Sequence, residues 1–375
     1  MVIRESLTGQ FIELLKIGAP SLAEAPVVDY IREQLKELNI KHYEDNTGKK
    51  VGGNAGNIIC SIKGQTDRAV PILFVSHLDT VEPCHNVSPR IENGIITADG
   101  RTILGADDRA GVAAILETLR LIRQHNIQHG DLKVVFTVAE EIGLLGSKNL
   151  DISSLQSKFA FVLDCANADP GKIVTQAPAS VSFKAKCTGR TAHAATAPEK
   201  GINAIHFACK SIAALTLGKI DEDTVANIGV ISGGRAINIV PDDVGVEGEV
   251  RSFDRNKLTE QLKEIRNSFK RESEKVGGNV EFIKSKKYDA FHLKESDEVV
   301  RIAVQAIKNV SLKPELIRYI GGSDANVLNA KGIPAVNLGL GISNAHSTEE
   351  SIRVENMVKI TEALIEIIKI CSNIT

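Results

Sequence analysis

PILFVS (71–76), LKVVFTV (132–138) and FAFVL (159–163) decide the fold. Each is short, apolar and rich in β-branched or aromatic residues, the composition of a strand buried on both faces in a parallel sheet. Between the first two, Val112, Ile115, Leu116, Leu119 and Ile122 recur at helical spacing and form one apolar face. Strand, helix, strand in that order implies an α/β sheet with helices on its faces. Toward the N-terminus two amphipathic helices are expected, the second carrying Val27 or Val28, Ile31, Leu35 and Leu38. Toward the C-terminus PAVNLGL (334–340) supplies a further buried strand and 351–371 a closing helix.

The period changes near residue 180. Val181, Phe183, Ala185 and Cys187 alternate with Ser182, Lys184 and Lys186, and Val244, Val246, Gly248 and Val250 alternate in the same way. Alternation of this kind marks strands with one wet face. Helical stretches near 201–217 and 256–276 intervene. The expected architecture is therefore an α/β domain of residues 1–179 and 290–375, interrupted by a smaller α+β domain of residues 180–289. A length of 375 residues agrees, since it exceeds what one hydrophobic core usually serves.

Composition narrows the functional classes. Apolar residues make up 43% and charged residues 25%, ordinary for a globular enzyme. Lys plus Arg number 45 and Asp plus Glu 47, a net charge of −2, so no nucleic acid or anionic membrane is expected as a partner. The opening MVIRESLTGQFIELLKIG carries charges and no long apolar run, so neither a secretory signal nor a membrane span is expected. Six cysteines lie scattered with no C-x-x-C pair and read as reduced thiols. Together these features imply a cytoplasmic protein.

The chemistry lies at the ends of the predicted strands. His77 with Asp79, Asp107 with Asp108, Glu140 with Glu141, Asp164 and His346 all fall just after an apolar strand or in a glycine-bounded loop. In open α/β sheets ligands gather at the carboxyl ends of the strands. Any one of these residues alone reads equally as a cap or a solvated charge, but their shared placement points to a site. Imidazole nitrogen and carboxylate oxygen suit zinc, and two histidines with three carboxylates serve two ions only if one carboxylate bridges them. Two divalent ions bring four positive charges and three carboxylates three negative ones, so a bridging hydroxide makes the cluster neutral and is favoured near pH 7.

At these residues the chain resembles a known family. VSHLDTV (75–81), GADDRAG (105–111), VAEEIGLLGS (138–147), FVLDCA (161–166) and NAHSTEE (344–350) look like the metal-site signatures of the di-zinc aminopeptidase and acylase superfamily. TADGRTILGADDRAGVAAIL (97–116) is similar to the peptidase T branch throughout. The resemblance implies a zinc-peptidase α/β sandwich interrupted by a lid and dimerisation domain, cleavage of the N-terminal residue from short peptides, two Zn²⁺ per chain replaceable by Co²⁺ or Mn²⁺, and a homodimer formed through the inserted domain.

Position by position, the resemblance implies that His77 and Asp164 hold one zinc, that Glu141 and His346 hold the other, and that Asp107 bridges them. Asp79 would accept a hydrogen bond from the His77 imidazole, and Glu140 would be the general base. Asp108 reads as a cap or loop hydrogen-bonding residue. In the inserted domain GRTAHAATAPEKGINAI (189–205) resembles the segment whose histidine steadies the oxyanion, which assigns that role to His193; a histidine among alanines reads otherwise as packed core. SGGRAINIVPDDVGVEGEVRS (232–252) puts forward Asn238 and Arg251 as substrate binders, Arg251 for a terminal carboxylate, although an Arg on an alternating strand is ordinarily a solvated face. GGSDAN (321–326) resembles a loop that the substrate backbone approaches.

Asp rather than Glu at position 164 favours the aminopeptidase side of the superfamily, and Cys165 beside it has no assigned role. H-E-x-x-H, G-x-S-x-G and G-x-x-x-x-G-K-[ST] are all missing from the chain. An N-acyl amino-acid amidohydrolase or desuccinylase with the same metals is the enzymatic alternative. A non-catalytic relative should have lost a ligand or the base, and here every one of those positions is filled.

Overall fold

The computed structural model describes Val2, residues 4–65 and residues 69–373. The chain divides into two compact units, one of Met1–Gln176, His292–Tyr319 and Ser323–Thr375, the other of Ala177–Phe291 and Ile320–Gly322.

In the first unit the strand sequences lie side by side. Ile72–His77 pairs in parallel with Leu132–Thr137 on one side and with Phe159–Cys165 on the other, and Ala335–Gly339 runs parallel to Phe159–Cys165 beyond it. Ile58–Ile62 and Lys41–Glu44 extend the sheet antiparallel past Leu132–Thr137. Every residue of Ile72–His77 is buried, as expected where helices cover both faces of a parallel sheet. Ile72, Phe74, Val134, Phe136, Phe161 and Leu163 enter one core with helices Arg4–Leu15, Ala106–His125, Glu298–Asn309 and Val354–Asn373. Alternation sends Leu73, Val75, Val135 and Val162 to the opposite face, where they are equally buried. Helix Asp324–Ala330 packs against the Phe159–Cys165 and Ala335–Gly339 strands.

Helix Ala106–His125 is buried nearly all round as far as Ile122, not on one face. Small residues off the apolar stripe (Ala110, Gly111, Ala113, Ala114) let it lie between the sheet and helices Arg4–Leu15 and Val354–Asn373. Periodicity also predicts a closing helix from 351, but Ser351–Arg353 is extended and the helix begins at Val354. Those residues pair with Ile95–Thr97 in a small antiparallel sheet completed by Ile342–Ser343 and Arg90–Glu92. The partner strand lies far away in sequence, so local spacing carries no trace of it. As a result the loop 344–350 is pinned at both ends.

The second unit is an antiparallel sheet with two helices on one face. Ala179–Thr188 is flanked by Asp243–Ser252 and Asn279–Tyr288, and Thr224–Gly233 pairs with Asp243–Ser252. Val181, Phe183, Ala185 and Cys187 share a core with Phe207 and Ala208 of helix Ala204–Ala213 and with Leu262, Ile265 and Phe269 of helix Arg255–Val276. Lys184 and Lys186, on the other face, are exposed. Asp254 caps the long helix, its carboxylate accepting from the backbone N–H groups of Asn256 at 2.7 Å and Lys257 at 3.1 Å. Gly322 lies so close to the Tyr288 ring that a Cβ there would sit 2.2 Å from Cζ, which explains why Ile320–Gly322 groups with this unit.

Phe269 has no exposed surface and sits at the centre of this core. Phe269→Ala should cost about 3–5 kcal/mol, whereas Lys270→Ala on the exposed side should stay within about 0.5 kcal/mol. Denaturant midpoints measure both, and equal effects would mean that the helix does not bury that face.

Candidate metal centre

The site forms where the parallel strands end. His77 is the last residue of its strand, and Asp164 is the last but one of Phe159–Cys165. Strand Leu132–Thr137 runs into a tight turn in which Ala139 adopts φ 51°, and this turn carries Glu140 and Glu141. A non-glycine residue in that region needs support from its surroundings. Here the Ala139 N–H donates to Glu24 Oε1 at 2.9 Å. Asp107 enters from Gly105, which has φ 79°, and Asp107 and Asp108 keep non-helical backbone angles before the long helix begins. Gly111 lets that helix start close to the sheet, since a Cβ there would lie 2.6 Å from the Leu163 carbonyl oxygen and 2.5 Å from Asp108 Oδ1. His346 comes from the pinned loop 344–350.

These elements bring together all the expected ligand residues. His77 Nε2 lies 3.4 Å from Asp107 Oδ1 and 3.8 Å from Asp164 Oδ1. His346 Nε2 lies 3.3 Å from Asp107 Oδ2 and 3.0 Å from Glu141 Oε1. Three overlapping groups of ligand atoms result: His77–Asp107–Asp164 and Asp107–Glu141–His346, which share Asp107, each of whose oxygens faces a different histidine, and His77–Glu140–Glu141. His77 is 1% exposed and the His346 side chain 49%, so the second cluster is the open side.

Asp79 approaches His77 with both its main chain and its carboxylate. The His77 Nδ1–H donates to the backbone carbonyl of Asp79 at 2.9 Å, while the Asp79 carboxylate stands 3.6 Å from Nδ1. That carboxylate is already engaged, accepting from the backbone N–H groups of Glu140 at 2.9 Å and Glu141 at 3.1 Å and from Ser21 Oγ at 2.6 Å. Asp79 thus fixes the Glu140–Glu141 turn directly and the His77 ring through its main chain. With Nδ1 engaged by the main chain, Nε2 is the ring nitrogen that faces Asp107 and Asp164.

Electrostatics shows which charge the pocket favours. Burial, reinforced by Glu140, pushes the Asp164 carboxyl well above its ordinary range, and burial with repulsion from Glu141 does the same to Glu140. Burial raises Glu141 as well. Asp107 is held low instead, because the pull of His346 and His77 outweighs its burial. Asp107 and then Glu141 raise the His346 imidazole to about 10. These shifts express one need, positive charge in a pocket poor in solvent. Asp107 Oδ1 and Asp164 Oδ2 are buried and have no hydrogen-bond partner among the described residues. Divalent cations fit these oxygens and the imidazole nitrogens beside them, taking the place of the ring protons.

The other expected residues lie apart from the clusters or in the second unit. Asp108 Oδ1 accepts from Gly111 N–H at 3.2 Å and Oδ2 from His77 N–H at 3.2 Å, the cap-like role read from the sequence. Cys165 points to the opposite face of its strand from Asp164 and is fully buried, which raises its thiol pKa. In the second unit His193 is exposed, contrary to a packed-core reading. Its Nδ1 accepts from the backbone N–H groups of Ala195 and Thr196, both at 3.2 Å, so Nε2 carries the proton. Asn238 is exposed. Arg251 is paired with Glu249, 3.0 Å from Nη2 to Oε1, on the face of the sheet away from the core.

Glu24, Asp324, Arg109 and Glu350 went unassigned in the sequence. Glu24 and Asp324 are fully or nearly fully buried beside the Glu140 turn, Asp324 accepting from Thr137 Oγ1 at 2.6 Å. Arg109, 1% exposed, donates from Nη1 to the Leu78 carbonyl at 2.5 Å, between His77 and Asp79. Glu350 has no exposed surface and accepts from Gly105 and Asp107 N–H. The sequence signal was weak: Arg109, Asp324 and Glu350 lie inside the quoted motifs, whereas Glu24 lies outside every one.

Comparison with known proteins gives the family. The model of peptidase family M20/M25/M40 matches residues 73–370. The uncharacterized Bacillus subtilis protein YqjE is 39% identical over 369 residues, covering 98% of this chain and 99% of that protein. The crystal structure of aminopeptidase PepT from Bacillus cereus superposes with a TM-score of 0.89 at 38% identity, covering 99% of this chain and 100% of that one. A tripeptidase from Staphylococcus aureus superposes with a TM-score of 0.93 at 37% identity, covering 99% of both chains. The chain therefore belongs to peptidase family M20/M25/M40 and is similar, over nearly its whole length, to the peptidase T members of that family.

Proposed function

We propose that this chain is a di-zinc aminopeptidase that removes the N-terminal residue from short peptides, tripeptides foremost. The observation that supports it most is Asp107, whose two oxygens face different histidines and whose Oδ1 is buried with no hydrogen-bond partner among the described residues. In this reading His77 and Asp164 hold one ion, Glu141 and His346 hold the other, and Asp107 is shared. Bound there, the ions supply Lewis acidity and ease the ionisation of water. Glu140 accepts the proton of the attacking water and returns it to the leaving amine, a task suited to a buried carboxyl beside the ligand residues. Asp79 keeps Glu140 and Glu141 in register through their backbone N–H groups. The similarity to an aminopeptidase and a tripeptidase supports the substrate class.

His193 presents an N–H at Nε2, the form needed to stabilise an oxyanion. Asn238 and Arg251 contact the rest of the peptide, Arg251 its terminal carboxylate. Arg251 already has Glu249 as a partner, so capture exchanges one carboxylate for another and adds more to discrimination than to affinity. We place the protein in the cytoplasm as a homodimer joined through the second unit. Val230 and Ile231 are about half exposed, on a stretch of strand Thr224–Gly233 beyond its pairing with Gly218–Lys219. The open edge of such a strand is a template for a second copy.

The direct test is a panel of di-, tri- and tetrapeptides, a tripeptide amide and N-acyl amino acids, assayed before and after chelation. Tripeptide hydrolysis should be fastest, should be lost on chelation and should return with zinc, cobalt or manganese. Turnover by protein shown to be metal-free overturns the metal mechanism. Cleavage of N-acyl substrates alone transfers the chain to the amidohydrolases, and equal cleavage of acid and amide removes the role of Arg251.

Glu140→Gln should lower kcat by about 10² to 10⁴ while metal content stays near the wild-type level; unchanged turnover would place the base elsewhere. His193→Ala should lower kcat by about 10² or more with KM little altered. A rise in KM alone would make His193 a substrate-binding residue.

A further inference from the structure

We infer that Glu350 is a positioning residue that sets the spacing between Asp107 and His346, and so governs affinity at the metal position those two share with Glu141. The inference rests on the di-metal reading above. Glu350 follows His346 by four residues and closes the same loop, just before strand Ser351–Arg353. It is fully buried, and both of its oxygens are used: Oε2 accepts from Gly105 N–H at 2.6 Å and Oε1 from Asp107 N–H at 3.0 Å. Neither of those main-chain groups lies in regular helix. Gly105 has φ 79°, and Asp107 has φ −81° and ψ 102°.

One buried carboxylate thus ties the loop bearing His346 to the main chain of Asp107, across 243 residues of sequence. The contact leaves the Asp107 side chain free to face both histidines while its backbone is held from behind. It also has a directional consequence. His77 and Asp164 stand on central strands of the sheet, where hydrogen-bonded neighbours fix them whatever Glu350 does. His346 has no such support. Its side chain is half exposed, its backbone has φ 64°, and its loop depends on the small sheet and on Glu350. Loss of the tether therefore loosens the Asp107–Glu141–His346 position far more than the His77–Asp107–Asp164 position.

A carboxylate is required because two N–H donors must be met at once. Glutamine has nearly the same shape but offers one acceptor oxygen, and its amide group would oppose the other N–H. Positioning partners of this kind usually change metal affinity by about 10- to 100-fold.

The test is zinc titration of metal-free protein, with the two binding steps resolved by calorimetry or by competition with a chromophoric chelator. Wild type should take up two ions. Glu350→Gln should keep one step near its wild-type affinity and weaken the other by about 10- to 100-fold. In a His346→Ala background, where that position is already crippled, the same substitution should change the remaining step little. Unfolding of the metal-free proteins is recorded in parallel, because a purely structural role would lower their Tm without separating the two steps. If Glu350→Gln does not fold, Glu350→Asp, one methylene shorter with the charge kept, carries the test and should weaken the same step. Wild-type affinity at both positions, or equal weakening of both, overturns the assignment of Glu350. Uptake of fewer than two ions by wild type overturns the di-metal reading itself.

Discussion

Crowding carboxylates into a pocket with little solvent is the constraint on which the first unit depends. Asp79, Asp107, Glu140 and Glu141 are buried or nearly so beside His77, and Asp164 joins them. Unscreened repulsion on that scale would open the pocket unless each acid met compensating positive charge or hydrogen-bond donors. The acids divide by how they meet this condition. Asp79, Asp108 and Glu350 use both oxygens on backbone N–H groups, with side-chain hydroxyls added at Asp79 and Asp108, and each joins segments remote in sequence. Asp107 and Asp164 each keep a buried oxygen with no partner among the described residues. Asp79, Asp108 and Glu350 hold the framework, and Asp107 and Asp164 face the clusters of ligand atoms. Arg109, buried against the Leu78 carbonyl, adds a fixed cation beneath the same loop.

Parallel strands make this division possible. Their carboxyl ends deliver His77, the Glu140–Glu141 turn and Asp164 to one rim of the sheet, on neighbouring strands whose spacing is set by the backbone ladder. The same rim receives Asp107 from the start of the long helix. Side chains placed by a sheet have little freedom, so the distances between ligand atoms follow mostly from strand order. His346 is the exception, since it arrives on a loop held by a separate small sheet. That difference in support makes the two clusters mechanically unequal, although their chemistry is nearly alike.

Much of this was legible in the sequence. The buried strands at 71–76, 132–138 and 159–163 are apolar on both faces, so composition alone identifies them, and the residues that follow them carry the chemistry. The alternation of Val181, Phe183, Ala185 and Cys187 likewise marks the half-wet sheet of the second unit, because burial on one face leaves a period of two. What escaped notice depends on long-range pairing. The strand Ser351–Arg353 reads as helix until its partner Ile95–Thr97 is known. Asp79 sits where a residue that orients His77 should sit, and its carboxylate, 3.6 Å from the ring nitrogen, also accepts from the Glu140 and Glu141 N–H groups, a link that local sequence does not reveal.

Glu24 shows where motif reading ends. It lies before residue 73, outside the segment matched by the family model, and no run of neighbouring residues marks it as special. Its Oε1 accepts from both Leu22 N–H and Ala139 N–H, each at 2.9 Å, so it fastens the N-terminal segment to the residue that bends the chain into Glu140. Ser21, three residues earlier, donates to Asp79 from the same segment. The positive φ of Ala139 and the aim of Glu140 are therefore set partly by residues whose local sequence resembles an ordinary loop. Such support is invisible to periodicity because it is a single side chain meeting a single backbone group. A site built on buried charge has to recruit donors from wherever the chain passes, so its outermost supports follow the fold, not the motif.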